Sequence, residues 1–239
     1  MKTDYKINKK TETVILTGAG ISTDSGLKTF RGSNGYWKEY DVKELARYEA
    51  FQKNPELIWE FYKKRIEKVK KAEPNKAHKS LFEMEKILGE NFCIITQNVD
   101  DLHQRAGNKR VFQMHGNILK AGCIECKKKF KLDKIDLKQD IPLCPLCKSK
   151  LRPDVVWFGE IPRFMDEIKN KLNRVNLLIV VGTSGTVYPA ASFVQIAKRN
   201  KADVICINLD KPDNYRFIDE FHPGKAEEIL PKLADKWLS

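Results

Sequence analysis

No run of this 239-residue chain approaches the roughly 18 apolar residues that a membrane-spanning helix needs. Its first dozen residues, MKTDYKINKKTE, lack the apolar middle of a secretory signal. A cytoplasmic protein without a membrane partner is therefore expected, and in that reducing compartment its six cysteines need an account other than disulfides. Internal repeats, low-complexity tracts and long linkers are also missing, which argues against solenoids and disordered spacers. Acidic residues are in the minority, 32 against 44 Lys and Arg, for a net charge of +12. Such a charge attracts nucleotide phosphates, acidic proteins or nucleic acid without choosing among them. Much of the lysine lies on helix-like segments, Lys63–Lys71 and Lys127–Lys131, where a solvated face is a better reading than a nucleic-acid groove.

What is present suffices for one large core. Apolar residues make up 41% of the chain, with four Trp and twelve Phe, and the length fits one principal domain with a satellite. Short β-rich runs at Thr13–Gly18, Phe92–Gln97, Arg110–His115, Leu177–Gly182 and Val204–Leu209 alternate with helical patterns at Pro55–Lys71, Lys76–Leu88, Ala190–Asn200 and Ala226–Leu238. The LLIVV run at Leu177–Val181 is apolar throughout, as in a strand covered on both faces. This order predicts an α/β fold, an open parallel sheet with helices on both faces and ligands beyond the carboxyl ends of the strands. Two segments break the rhythm, and both read as insertions forming a smaller second domain. One is helical and aromatic (36–73); the other is rich in Lys and Cys (122–151). Residues 1–35, 74–121 and 152–239 then make the large domain.

Three motifs carry chemistry. Cys123-x-x-Cys126 and Cys144-x-x-Cys147 can present four thiolates to one tetrahedral Zn2+. Such a closed site leaves no position for substrate, so this zinc is expected to be structural. Cys93 and Cys206 lie in predicted strands and read as buried residues. Next, Gly18-Ala19-Gly20-Ile21-Ser22 directly follows the strand TVILT, where backbone N–H groups and a helix N-terminus could approach a phosphate. Alone it is a weak signal, because Thr23 replaces the third glycine of the dinucleotide pattern. A second turn, Gly182-Thr183-Ser184, follows LLIVV, and Asn208-Leu209-Asp210 ends the next strand, so three strand ends can line one crevice. Finally, Gln97-Asn98-Val99-Asp100 and His115-Gly116 close two middle strands. A histidine there, with a pKa near neutrality, is a candidate general base, and His103 is read as structural or orienting.

These residues resemble the sirtuins. GAGISTDSGLKTFRG, TQNVDDLHQRAG, QMHG around His115, the paired CxxC, PDVVWFGE, VVGTSGTVYPA and INLD follow one another over nearly the whole chain. The resemblance implies a Rossmann-like domain, a small domain of helical module and zinc ribbon, and NAD in the cleft as co-substrate. It implies that Gly18 to Ser22, Phe30, Arg31 and Trp37 form the nucleotide loop. Gln97, Asn98, Val99 and Asp100 would surround the nicotinamide and its ribose, with Gln97, Asn98 and Asp100 joining His115 in catalysis. Gly182, Thr183, Ser184, Asn208, Leu209, Asp210 and Ala226 would hold the adenosine half. Val156, Phe158, Gly159 and Glu160 resemble a strand that pairs with an extended acyl-lysine peptide or protein. The implied reaction is NAD-dependent removal of acyl groups from protein lysines, giving nicotinamide and O-acyl-ADP-ribose. His115, uncharged, would deprotonate a ribose hydroxyl.

Thr29 stands where most members have Asp, a form common in the subgroup that removes succinyl or malonyl groups. Ala46, Tyr62 and Arg65 match that subgroup too. Tyr62 and Arg65 are three apart on a helix face and can form a fork for a carboxylate, although the composition of the helix alone reads Arg65 as one more exposed base and Tyr62 as a packing residue. Deacetylation with desuccinylation and demalonylation is therefore expected. An ADP-ribosyltransferase would use the same cleft; a zinc-ribbon nucleic-acid module would explain the cysteines and charge but neither the glycine turns nor His115.

Overall fold

The computed structural model describes residues 6–29 and 45–239. Five strands fall where the sequence predicts them: β1 (Thr13–Thr17), β2 (Phe92–Thr96), β3 (Val111–Gln113), β7 (Leu177–Val181) and β8 (Asp203–Asn208). With β9 (Glu220–Pro223) they form a six-stranded sheet in the order β3-β2-β1-β7-β8-β9, parallel at every pairing. β9 carries no apolar run that would mark it in the sequence; Glu220, Phe221 and His222 are half-buried and Pro223 is exposed.

Every residue of β1, β2 and β7 is buried, because helices cover both sides of the sheet. Alternate side chains enter two cores. Ile15, Ile94, Ile179 and Ile205 meet α3 (Lys76–Leu88) and the terminal helix α7 (Ala226–Leu238). Leu16, Ile95, Val180 and Cys206 meet α5 (Met165–Leu172) and α6 (Ala190–Arg199). Cys93 and Cys206 lie in that second core, and burial pushes both thiols up to about 12.

The smaller unit contains α1 (Tyr48–Lys53), α2 (Pro55–Lys71) and an antiparallel sheet of β4 (Gly116–Cys123), β5 (Lys129–Lys131) and β6 (Leu151–Val155), in the order β5-β4-β6. This sheet starts at Gly116 and ends at Val155, outside the 122–151 bounds expected from composition. Asn54 caps α2 by accepting from Leu57 N–H at 3.1 Å, with Pro55 in the first turn. The buried face of α2 brings Ile58, Trp59, Tyr62 and Ile66 onto the small sheet, and the Trp59 indole N–H donates to Leu151 O at 2.8 Å. The expected substrate strand at 156–160 is instead a loop and turn. β6 stops at Val155, and Glu160 folds back to accept from Trp157 N–H and from Arg152. Among the described residues no helix is long and apolar enough to cross a membrane.

Candidate active site and metal centre

Strand order reverses at β1, which has β2 on one side and β7 on the other, so the chain after β1 and the chain after β7 diverge around a crevice. The two glycine turns meet there backbone to backbone. Gly20 N–H donates to Gly182 O at 2.9 Å and Gly18 N–H to Val181 O at 3.0 Å. A Cβ on Gly20 would lie 2.6 Å from Gly182 Cα, and one on Gly182, where φ is +62°, 2.5 Å from Ile21 N. The glycines therefore let the two turns close on each other. The helix expected after the first turn is a seven-residue 3-10 segment, Ala19–Ser25, ended by Gly26 in the left-handed region. Ile21 is wholly buried in the first core, so its side chain serves packing. Asn75, which the sequence analysis passed over, both caps α3 and donates from Nδ2 to Ile21 O at 2.8 Å, anchoring the loop. An Asn directly before a helical pattern was the available signal.

These turns open into a cleft of about 770 Å³. It is lined by Gly18, Ala19, Gly20, Gln97, Asn98, Val99, His115, Gly182, Thr183, Ser184, Asn208, Leu209, Asp210 and Ala226, and also by Ala46, Tyr62, Arg65, Val156, Phe158, Gly159 and Glu160. Ser22 and Asp100 line an adjoining recess shared with Asn98, Val99 and Arg65. Phe30, Arg31 and Trp37 lie outside the described residues. Lys225, unremarked in the sequence, lines the cleft and pairs with Asp24 at 3.0 Å.

Polar groups at the strand ends are tied across the crevice. Gln97 Nε2 donates to Thr183 Oγ1 at 2.9 Å, and Asn208 Nδ2 donates to Thr183 O at 3.2 Å and Asp210 O at 2.9 Å. Asn98 Nδ2 donates to Ser22 Oγ at 3.1 Å, and Ser22 in turn donates to Asp100 Oδ2 at 3.1 Å. Burial pushes the Asp100 carboxyl up to about 6, against the opposing Leu102 N–H and Ser22 hydrogen bonds.

His115 Nδ1 lies 3.0 Å from Gln97 O. A carbonyl only accepts, so Nδ1 carries the proton and Nε2 keeps its lone pair. Burial holds the imidazole below its ordinary pKa of 6.5, only partly offset by the Gln97 bond. His103, in the short helix α4 (Leu102–Arg105), is by contrast sealed beneath the strand ends. Its Nε2 meets Thr17 Oγ1 at 3.0 Å, its ring faces His78 at 4.9 Å between centroids, and it does not line the cleft.

On the side of the cleft formed by the helical module, the Trp157 indole N–H donates to Tyr62 Oη at 2.8 Å. The Arg65 guanidinium carbon lies 5.6 Å from the centre of the Tyr62 ring. The backbone of Ala46 accepts from Phe158 N–H at 2.9 Å, binding the loop to the helical module.

The sulfurs of Cys123, Cys126, Cys144 and Cys147 all lie within 4.8 Å of one another, and all four cysteines are free thiols. Each CxxC turn closes on a lysine in the left-handed region, Lys127 at φ 60° and Lys148 at φ 61°. Four convergent thiols on two matched turns fit a tetrahedral, closed zinc site.

The Sir2 family profile matches residues 18–189. The chain belongs to the Sir2 family. An NAD-dependent protein deacylase of Thermococcus kodakarensis is 46% identical over 228 residues, covering 92% of this chain and 88% of that protein. One of Salmonella typhimurium is 41% identical over 227 residues, covering 94% and 83%. A solved Sir2 homologue–NAD complex superposes with a TM-score of 0.86 at 40% identity, over 95% of this chain and 90% of that one. A solved Sir2–p53 peptide–NAD+ structure superposes with a TM-score of 0.84 at 34% identity, over 94% and 92%.

Proposed function

We propose that this Sir2 family member removes acyl groups from protein lysines at the expense of NAD, acting in the cytoplasm, where four thiolates stay reduced. The observation that carries the reading is the single cleft that joins the glycine turns, the Gln97–Val99 segment, a neutral His115 and the Tyr62–Arg65 pair. Bound NAD supplies a ribose carbon made electrophilic by its nicotinamide leaving group. Asn98, Ser22 and Asp100 offer the amide recess, and Thr183, Asn208 and Asp210 hold the adenosine end. His115, with Nδ1–H committed to Gln97 O, takes a proton from a ribose hydroxyl at Nε2. An acyl-lysine protein segment enters along the Val156–Glu160 loop.

The acyl preference follows from Tyr62 and Arg65. Trp157 occupies an acceptor position on the Tyr62 hydroxyl, which leaves its O–H to donate to something else. Burial raises the phenol pKa, opposed by the Arg65 charge, so the group stays a neutral donor. A guanidinium and a phenol on consecutive turns suit the distal carboxylate of a succinyl or malonyl group, alongside acetyl. The test compares acetyl-, succinyl- and malonyl-lysine on one peptide backbone with saturating NAD. Turnover of all three with nicotinamide release is expected. Acetyl-lysine alone would remove the acidic-acyl reading, and radiolabelled ADP-ribose on protein in place of deacylated lysine would favour the transferase.

A further inference from the structure

Next to His115 lies a charge cluster that the reaction does not use. Asp154, in β6 and buried, receives both arms of the Arg163 guanidinium. Nη1 reaches Oδ2 at 3.0 Å, and Nη2 reaches Oδ1 and the Asp154 carbonyl, the latter at 3.2 Å. Lys129, in β5 of the cysteine module, lies 3.1 Å from the same Oδ1. So compact a clamp costs charge desolvation and rotamer entropy, and its location explains what it secures.

The backbone on either side of His115 is held by the segment this clamp closes. Arg163 N–H donates to Met114 O at 2.9 Å, and Val156 N–H donates to His115 O at 2.8 Å. Gly116 pairs with Val155, and its φ of +86° packs it against Asp154. A Cβ there would sit 2.2 Å from Asp154 O and 3.2 Å from the Arg163 guanidinium carbon. Residues 114, 115 and 116 are thus each fixed to the stretch between Asp154 and Arg163. Among the described residues, the hydrogen bond that holds the imidazole itself is the one to Gln97 O. A shift of its backbone would therefore carry Nε2 away from a substrate hydroxyl.

We infer that the Asp154–Arg163 ion pair is a positioning device for His115, joined through Lys129 to the cysteine module, so that metal binding there and alignment of the base are coupled. The inference rests on the reading of His115 as general base. Misplacement of about 1 Å can cost about a hundredfold in rate.

The experiment uses Arg163→Met and the near-isosteric Asp154→Asn in the zinc-loaded protein, with His115→Ala as reference. kcat for deacylation is expected to fall by about ten- to a hundredfold, with KM for NAD and for peptide within about twofold of wild type. In a single turnover, nicotinamide release should keep its rate while free lysine appears more slowly, and Arg163→Lys should restore part of the loss. Unchanged kcat in both variants, or losses in KM and kcat together, would overturn the inference. If Arg163→Met fails to fold, Asp154→Asn decides; if neither folds, the pair supports the fold alone and the inference fails. Normal turnover in His115→Ala would instead remove the base assignment, a separate failure.

Discussion

The two sheets of this molecule are held by different forces. In the large one β1, β2 and β7 are buried end to end between two hydrophobic cores, so burial of aliphatic side chains is its main support. In the small one β5 is half-buried at best, and the chain between Cys123 and Leu151 is studded with exposed lysines. Its order depends on the cysteine cluster and on α2 packed against it. The self-supporting sheet carries the two glycine turns; the one that holds the cysteine cluster begins at the residue after His115. His115, the proposed base, therefore stands at the seam, where damage to the weaker unit would reach it.

Breaking the weaker side should have the largest effect. Cys123→Ala is expected to abolish zinc binding and stable folding of the 116–155 unit, and activity with it. The parallel sheet should persist, as hydrogen exchange in the two sheets and metal analysis would register. A metal-free variant of full stability and activity would show that the small unit stands alone. His115→Ala strikes the seam without touching either sheet. Zinc content and Tm should stay near wild type, while turnover falls by about 10²–10⁴-fold. Burial lowers the His115 pKa, so the neutral base persists at neutral pH, and the acid limb of the rate profile should fall below pH 6.5. A limb above that value would mean the imidazolium is stabilised in the cleft.

Arg65→Met sharpens the comparison within α2. Loss of a charge-assisted bond worth about 1.5–3 kcal/mol should cut kcat/KM on succinyl-lysine about ten- to a hundredfold and leave acetyl-lysine nearly unchanged. Equal losses on both would assign Arg65 to the fold. The smallest effect belongs to the large sheet. Burial raises the Asp100 carboxyl from 3.8 to about 6, so its contribution is fully present below pH 3.8 and lost as pH rises through 6. Asp100→Asn should therefore raise Tm at pH 8, by roughly 2–4 °C per kcal/mol relieved, and the gain should vanish in acid. A Tm that falls at pH 8 would show that the charged carboxylate is held by more than Ser22 and Leu102.

The same contrast decides how far the sequence could be read. Continuous apolar runs such as LLIVV name their environment, so the parallel strands and the helices capped at Asn54 and Asn75 were legible within a residue or two. β9 was not, since Glu220–Pro223 is a half-buried edge with no apolar run. The antiparallel strands β4 and β6 hid because GNILKAGC and LRPDV carry Gly, Pro and charge in place of an apolar run. Resemblance suggested a strand at Val156–Glu160, but Glu160 turns the chain back onto Arg152. Many residues that line the cleft were legible because strand ends concentrate Gly, Asn, Asp and His. The bond from Trp157 to Tyr62 and the role of Asn75 toward Ile21 were not, because each joins residues remote in sequence or role.

The central claim is that this cleft couples lysine deacylation to NAD cleavage through His115. The most direct measurement follows one acetyl-lysine peptide with NAD by mass spectrometry, for wild type and His115→Ala side by side. Wild type is predicted to yield deacylated peptide, nicotinamide and O-acetyl-ADP-ribose in equal amounts, and the variant almost none of the deacylated peptide. Deacylation that proceeds without NAD, or at full rate without His115, would contradict the account.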